Sequence, residues 1–453
     1  MNTVWRGKRV TVIGFWIEGE DMARYFADQG AQVSVSTLRV PESRAAAQAE
    51  LTRRGVRFYI GSNEPQHVAG ADLVCVSQGV PLGIPAVVAA RKAGIPVRSM
   101  TSLFFESYPG PIVGITGSSG KTTTTSLVDA MFSAAGREHV LGGNIGRGLL
   151  ALLDDASAEV PAVLEISHTQ LQLTERSPNV ACLTNVTPNH LDQFSWEDYV
   201  ALKRKIFEFQ TAEDAAVFNA DDATSRELCP TAKGRVLLFS LGGDHGADGA
   251  FVQEESVYMR SGGKAAAAVA VAEIPLRGRH NVANVAAAAA VAAACEIDAA
   301  AVGRAVRAFK APAHRLELVG TVNGVAYYND SIATAPERTL AALRSFEEPI
   351  VLLLGGRDKD LPLEEMLTAA KRVCRVVVCF GEAGPLFAEA ASALGLSVTR
   401  VATVAEAVDV ASRLAEPGDV VLLSPAGTSF DAYESFEQRG EEFRRLVEEM
   451  SGE

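Results

Sequence analysis

Lys121 stands near the end of Gly114-Ile115-Thr116-Gly117-Ser118-Ser119-Gly120-Lys121-Thr122, a glycine-bearing run between an apolar stretch and a helix-forming one. A turn of this kind exposes backbone N–H groups at the positive end of a helix, where phosphate oxygens accept hydrogen bonds. Lysine at this place reaches the β and γ phosphates of a nucleotide, and the Thr122 hydroxyl is placed to ligate Mg2+. Gly120, Lys121 and Thr122 fit the ending of the common phosphate loop, but Ile115 stands where that pattern begins with glycine. ATP use is the expectation, with the kind of ATP chemistry left open; the alternative is a glycine-rich turn without ligand.

Further chemistry-bearing residues follow. Glu165 ends an apolar run, and His190 and Asp192 follow another that ends at Asn185. If these runs are parallel strands, their ends open onto the crevice that holds the phosphate loop. A carboxylate and an imidazole there could hold a second divalent ion against a transferring phosphoryl group. On residue type alone Glu165 is equally a surface or cap residue, His190 a satisfied loop histidine, and Lys203-Arg204-Lys205 a solvated basic face.

The elements that must position these groups alternate strand and helix in three α/β blocks. The first, 1–98, has strands at Arg9–Gly14, Gln32–Thr37, Phe58–Ile60, Leu73–Ser77 and Val97–Met100, with a helix at Asp21–Gln29. In the second, 99–311, the strand Pro111–Thr116 feeds the phosphate loop and the helix Thr123–Ala135. Strands Val163–Ile166, Val180–Asn185, Ala215–Asn219 and Val236–Phe239 follow, then a glycine-rich hairpin region, Gly242–Lys264, and the alanine-rich helix after His280-Asn281. The third, 312–453, has strands at Leu316–Val319, Val325–Asn329, Ile350–Leu354, Arg375–Cys379 and Val420–Ser424.

A length of 453 residues fits two or three domains. The net charge of -13 argues against wrapping of nucleic acid by phosphate neutralisation. The six cysteines form no CxxC pair, as expected of reduced thiols. No run has the length and hydropathy of a membrane span, and a cytoplasmic monomer is expected.

The motifs together resemble the Mur ligase family. The family writes its loop Thr-Gly-x-x-Gly-Lys-Ser/Thr-Thr, and Thr116 to Thr123 fit it, which accounts for the missing first glycine. Asn185, His190 and Asp192 match Asn-x-x-x-x-His-x-Asp, and His280-Asn281-Val282-Ala283-Asn284 matches the adenine-site pattern. His314-Arg315, Asn329-Asp330-Ser331, Ala333-Thr334 and Gly355-Gly356 with Lys359 are similar to the family's third-domain elements. Leu423 to Asp431, followed by Phe436-Glu437-Gln438-Arg439-Gly440, looks most like the glutamate-adding branch.

The resemblance implies a Rossmann-like N-terminal domain, a central phosphate-loop ATPase-like domain and a Rossmann-like C-terminal domain. It implies ATP and two Mg2+ sites, with Gly117, Ser118, Ser119, Gly120, Lys121, Thr122 and Thr123 around the phosphates. Asn281 and Asn284 would face adenine, with Arg315 and Asp330 holding the nucleotide. Thr122, Glu165, His190 and Lys203 would serve metal, Lys203 as a carbamate, since an ammonium repels a cation. Asn144 would touch the muramoyl substrate, and Thr37 and Arg39 its uridine end. Thr334, Lys359, Ser429 and Phe436 would surround the amino acid. The implied reaction joins glutamate, D-glutamate first, to UDP-N-acetylmuramoyl-L-alanine for peptidoglycan through an acyl phosphate. Closure of the third domain about a hinge near Ala311-Pro312 is expected with it.

Departures from the family pattern mark the other substrates' places. Ile332 replaces the usual lysine after Asn-Asp-Ser, and Gly427-Thr428 alters the glutamate loop. These two motivate a second reading, the same ligation with L-glutamate or another amino acid; a non-catalytic nucleotide-binding scaffold is the remaining alternative. Ser167-His168-Thr169 departs from Ser-Ser-Phe, and Gly14-Phe15-Trp16-Ile17-Glu18-Gly19 replaces a GxGxSG turn. There a ring and a carboxylate would crowd or repel a diphosphate.

Overall fold

In the computed structural model, residues 3–144, 148–189, 193–310 and 313–451 are described. They form two compact units, residues up to 273 together with 283–308, and residues 274–282 together with 309 onward.

The first unit holds two sheets. Strands β1 (Arg9–Ile13), β2 (Gln32–Thr37), β3 (Arg57–Ile60), β4 (Leu73–Val76) and β5 (Val97–Arg98) form a parallel sheet in the order β3-β2-β1-β4-β5. The chain reverses direction across β1 and β4, so the turns after these two strands border the crevice where such sheets take ligands. The fifth strand is shorter than the sequence suggests. Ser99 Oγ accepts from Ser102 N and Ser99 N donates in return to Ser102 Oγ, and this capping box starts the helix Met100–Ser107 where strand was expected.

The second sheet is built from β6 (Ile112–Thr116), β7 (Val140–Gly143), β8 (Ala162–Glu165), β9 (Val180–Leu183), β10 (Ala215–Asn219), β11 (Arg235–Ser240), β12 (Gly249–Gln253), β13 (Ser256–Ser261) and β14 (Lys264–Ala270). Its order is β14-β13-β12-β11-β10-β9-β6-β8-β7, parallel except for the last two pairings at the β14 end. The expected glycine-rich hairpin is thus a three-stranded meander, and β7 is an added edge strand. One hydrophobic cluster runs through both sheets, from Val10 and Phe26 through Leu103 and Phe104 to Leu164 and Phe218. The helix Met100–Ser107 supplies the link, since Leu103, Phe104 and Phe105 are all buried.

In the second unit, β15 (Glu317–Val322), β16 (Val325–Asn329), β17 (Ile350–Gly355), β18 (Cys374–Phe380), β19 (Val398–Arg400) and β20 (Val420–Ala426) run in the order β15-β16-β20-β17-β18-β19. Only the β15–β16 pair is antiparallel among them. Alternate residues of β17 feed two separate cores, Ile350, Leu352 and Leu354 on one face and Val351 and Leu353 on the other. This is why the strand reads as an unbroken apolar run.

Candidate active site

The phosphate loop follows β6 and closes on the helix Lys121–Ala134, whose cap is Gly120 at φ 78°. A side chain there would be strained and its Cβ would collide with Asn284 Oδ1; at Gly117 a Cβ would collide with Thr184 Oγ1. The loop is held by its neighbours. Ser118 N donates to the Asn185 carbonyl at 3.0 Å, Ser119 N to Asn185 Oδ1 at 3.0 Å, and Thr184 Oγ1 to the Ser119 carbonyl at 2.6 Å. Ser118 Oγ lies 3.0 Å from the Tyr199 hydroxyl. Lys121 folds back on the loop, donating from Nζ to the carbonyls of Gly117 (3.0 Å) and Ser118 (3.2 Å). Thr122 is half-buried and Thr123 buried on the same first turn. Thr184, Asn185 and Tyr199 are the site's framework and went unassigned from sequence, although Asn185 opens one of the motifs.

Glu165 ends β8 beside β6 and β7 and is 2% exposed. Its Oε1 accepts from Asn144 Nδ2 at 3.0 Å, while Oε2 is buried with no hydrogen-bond partner. A buried carboxyl oxygen without a donor is costly, and a bound cation is one partner that would satisfy it. The surface and cap readings of Glu165 are therefore corrected.

Lys203 is corrected more sharply, for it is fully buried. On the helix Trp196–Glu208 the buried residues are Tyr199, Lys203, Ile206 and Phe207, one face at helical spacing. Arg204 and Lys205 point elsewhere, to Glu208 and the Gln172 carbonyl. Lys203 Nζ donates to Thr116 Oγ1 (3.1 Å) and the Gly117 carbonyl (2.8 Å), under the phosphate loop. Burial pushes its pKa well below the usual lysine range, the Lys121 charge adds to this, and Glu165 opposes it.

Thr122, Glu165 and Lys203 thus gather at one end of the second sheet, with Asn144 bonded to Glu165. Asn284 joins them, its Oδ1 3.5 Å from Thr124 Oγ1 beside Gly120. Asn281 belongs to the second unit, where its Nδ2 donates to the Arg277 carbonyl at 2.7 Å. His190, Leu191 and Asp192 lie outside the described residues, as do Ala311 and Pro312 at the expected hinge. Among the described residues no three His, Cys, Asp or Glu side chains converge to hold a metal. The orphan oxygen of Glu165 fits Mg2+; Lys203 fits only once its charge is reversed.

In the second unit Asp330 is buried, accepting from Ser424 Oγ at 2.8 Å and Leu316 N at 3.2 Å, and burial pushes its pKa up to about 7. The motif neighbour Arg315 opposes that shift by its charge. Lys359 Nζ donates to Thr334 Oγ1 at 3.3 Å, and Ser429 is buried at the turn after β20. Phe436 starts the last helix, its carbonyl accepting from Ser331 Oγ at 2.8 Å. Arg439 escaped sequence reading as a site residue. Fully buried, it donates to Ser331 Oγ, the Ser331 carbonyl and the Gly427 carbonyl, and so ties the altered glutamate loop to the Asn-Asp-Ser turn.

Thr37 ends β2 and Arg39 follows it next to the β1 turn, Thr37 Oγ1 donating to the Arg39 carbonyl at 2.9 Å. In that turn Trp16 is 54% exposed, and Glu18 Oε2 accepts from Gln78 N at 2.7 Å. Glu18, Ser77, Gln78, Thr101, Thr169 and Gln170 line a pocket at the ends of β1 and β4.

Sheet order, loop and buried lysine define an α/β phosphate-loop protein. Family models for the Mur ligase MurD-like N-terminal domain, the Mur ligase middle domain and the Mur ligase glutamate ligase domain match residues 8–99, 115–292 and 314–427. UDP-N-acetylmuramoylalanine–D-glutamate ligases of Symbiobacterium thermophilum and Koribacter versatilis are 40% and 39% identical, over 98% of this chain and of each relative. Among solved structures, the UDP-N-acetylmuramate–alanine ligase MurC of Thermotoga maritima superposes with a TM-score of 0.61 at 19% identity, over 98% of this chain and 99% of that one. The chain belongs to the Mur ligase family.

Proposed function

We propose that the protein is an ATP-dependent ligase that joins D-glutamate to UDP-N-acetylmuramoyl-L-alanine in peptidoglycan precursor synthesis, as a cytoplasmic monomer. The full-length likeness to relatives named for that activity carries the substrate assignment. The convergence of Lys121, Glu165 and Lys203 on one loop supports the chemistry. Among the described residues no helix is long and apolar enough to cross a membrane.

In this reading the terminal phosphoryl group of ATP passes to the alanine carboxylate, and the glutamate amine then displaces phosphate to form the amide. The loop N–H groups and Lys121 hold the phosphates and offset their charge. Mg2+, held by Thr122, Glu165, His190 and a modified Lys203, would neutralise charge on the transferring group. Burial lowers the Lys203 pKa and so favours the neutral, nucleophilic amine, which would add CO2 to give a carbamate and release one proton. Asn144 orients Glu165 through its amide and stands ready for the muramoyl substrate. Asn281, Asn284, Arg315 and Asp330 are assigned to the nucleotide, Thr37 and Arg39 to uridine, and Thr334, Lys359, Ser429 and Phe436 to glutamate.

The experiment is a coupled ADP-release assay with UDP-N-acetylmuramoyl-L-alanine and each glutamate enantiomer. Turnover with the D form is expected, and silence with both forms overturns the assignment. Ile332 and Gly427-Thr428 favour one second reading, a changed amino-acid preference, which turnover with only the L form would establish.

A further inference from the structure

The glutamate reading creates a charge problem in this chain. Glutamate brings two carboxylates, yet of the four residues assigned to it, Thr334, Lys359, Ser429 and Phe436, only Lys359 is a cation, and position 332 beside them is isoleucine. Lys359 is thus left to meet two carboxylates alone, with the Glu337 carboxylate also acting on it.

Around Ile332 the second unit folds three segments together. Ala426 N donates to the Ala333 carbonyl at 2.9 Å, and Arg357 and Thr428 exchange backbone hydrogen bonds of 2.8 Å each. The Ile332 carbonyl accepts from Thr334 N at 2.8 Å and from Arg338 Nη1 at 3.2 Å, while Thr334 Oγ1 accepts from Lys359 Nζ at 3.3 Å. Arg338 and Lys359 are both exposed and flank the same short loop. Burial lowers the Lys359 pKa and the nearby Arg338 charge lowers it further, while the same charge acts weakly on Asp330.

We infer that Arg338, from the first turn of the helix Pro336–Leu343, binds a carboxylate of the incoming glutamate and supplies the second cation that two carboxylates require. A guanidinium has five N–H donors in a planar fork, so the bond to the Ile332 carbonyl orients it and leaves a pair for a carboxylate. Lys359 takes the other carboxylate.

This rests on the glutamate-ligase reading, and the test separates the two. KM for D-glutamate, ATP and UDP-N-acetylmuramoyl-L-alanine is measured for the wild type, Arg338→Ala, Arg338→Lys and the double variant Ile332→Lys/Arg338→Ala. The alanine variant is expected to raise KM for glutamate about tenfold to a hundredfold, as for a lost charge-assisted pair, with the other two KM values within twofold. Arg338→Lys recovers part of the loss, and lysine at 332 in the double variant recovers most of it. Unchanged glutamate KM in Arg338→Ala, or equal rises in all three KM values, overturns the inference while leaving the ligase reading standing. A wild type that turns over no glutamate overturns both.

Discussion

The turns after β1 and after β6 are the same device, strand into turn into helix, with opposite charge. After β6 the helix is capped by glycine and opens with Lys121, so the positive end of its dipole is joined by a cation. After β1 the helix Ile17–Asp28 opens with Glu18 and Glu20, and Glu18 already takes the Gln78 N–H at the pocket mouth. One turn is prepared to receive phosphate, and the other is compensated from within. A glycine-bearing turn after a parallel strand is therefore not evidence of a phosphate cradle until the sign of its side chains is known.

The largest effect that would break this comparison lies under the β6 loop. Lys203→Ala removes the buried amine between Thr116, Gly117 and Tyr199. Turnover is expected to fall by about a thousandfold or more, as when a group stabilising phosphoryl transfer is lost. Added short carboxylates should restore part of it by filling the space of the proposed carbamate. Full activity in the variant would show that the loop works without the group beneath it.

What the sequence made legible follows the same division. The β6 strand and its loop could be read because an apolar run, a glycine turn and a helix are local signals. The burial of Lys203 could not, because Lys203-Arg204-Lys205 reads as a basic face until the helix phase is fixed by Tyr199, Ile206 and Phe207. Arg439 was hidden for a related reason: its partners, Ser331 and Gly427, come from other segments. β5 ends early because a capping box starts a helix at Met100, and β7 was missed because its Gly142-Gly143 pair has little strand propensity of its own.

A middle-sized effect sharpens the β6 side. Gly120→Ala places a side chain at φ 78° and drives its Cβ into Asn284 Oδ1. The backbone strain costs roughly 1–2 kcal/mol, and relieving the collision displaces either the loop or Asn284. KM for ATP should rise about tenfold or more, with KM for the UDP substrate within twofold. Equal rises would place the damage in the fold and not in the nucleotide loop.

The smallest expected effect tests the β1 side. Burial raises the Glu18 pKa and the nearby Asp21 charge raises it further, against hydrogen bonds from Gln78 N–H and Gln170 that lower it. The native state therefore holds the Glu18 proton more tightly than the unfolded chain. This contribution to stability is present at low pH and is lost as pH rises through the native pKa. Glu18→Gln keeps the shape and cannot ionise, so its melting temperature should gain on the wild type between pH 4 and pH 8. If the substrate diphosphate lies at this turn, the same charge repels it by roughly 1 kcal/mol, about a fivefold effect on KM. The variant should then bind UDP-N-acetylmuramoyl-L-alanine about fivefold better at pH 8 and show a smaller gain at pH 5.5, where more of Glu18 is already neutral. A melting difference that follows pH while KM follows neither pH nor substitution would place the diphosphate away from the β1 turn. The two strand–turn–helix junctions would then differ in what they bind, as well as in the sign of their charge.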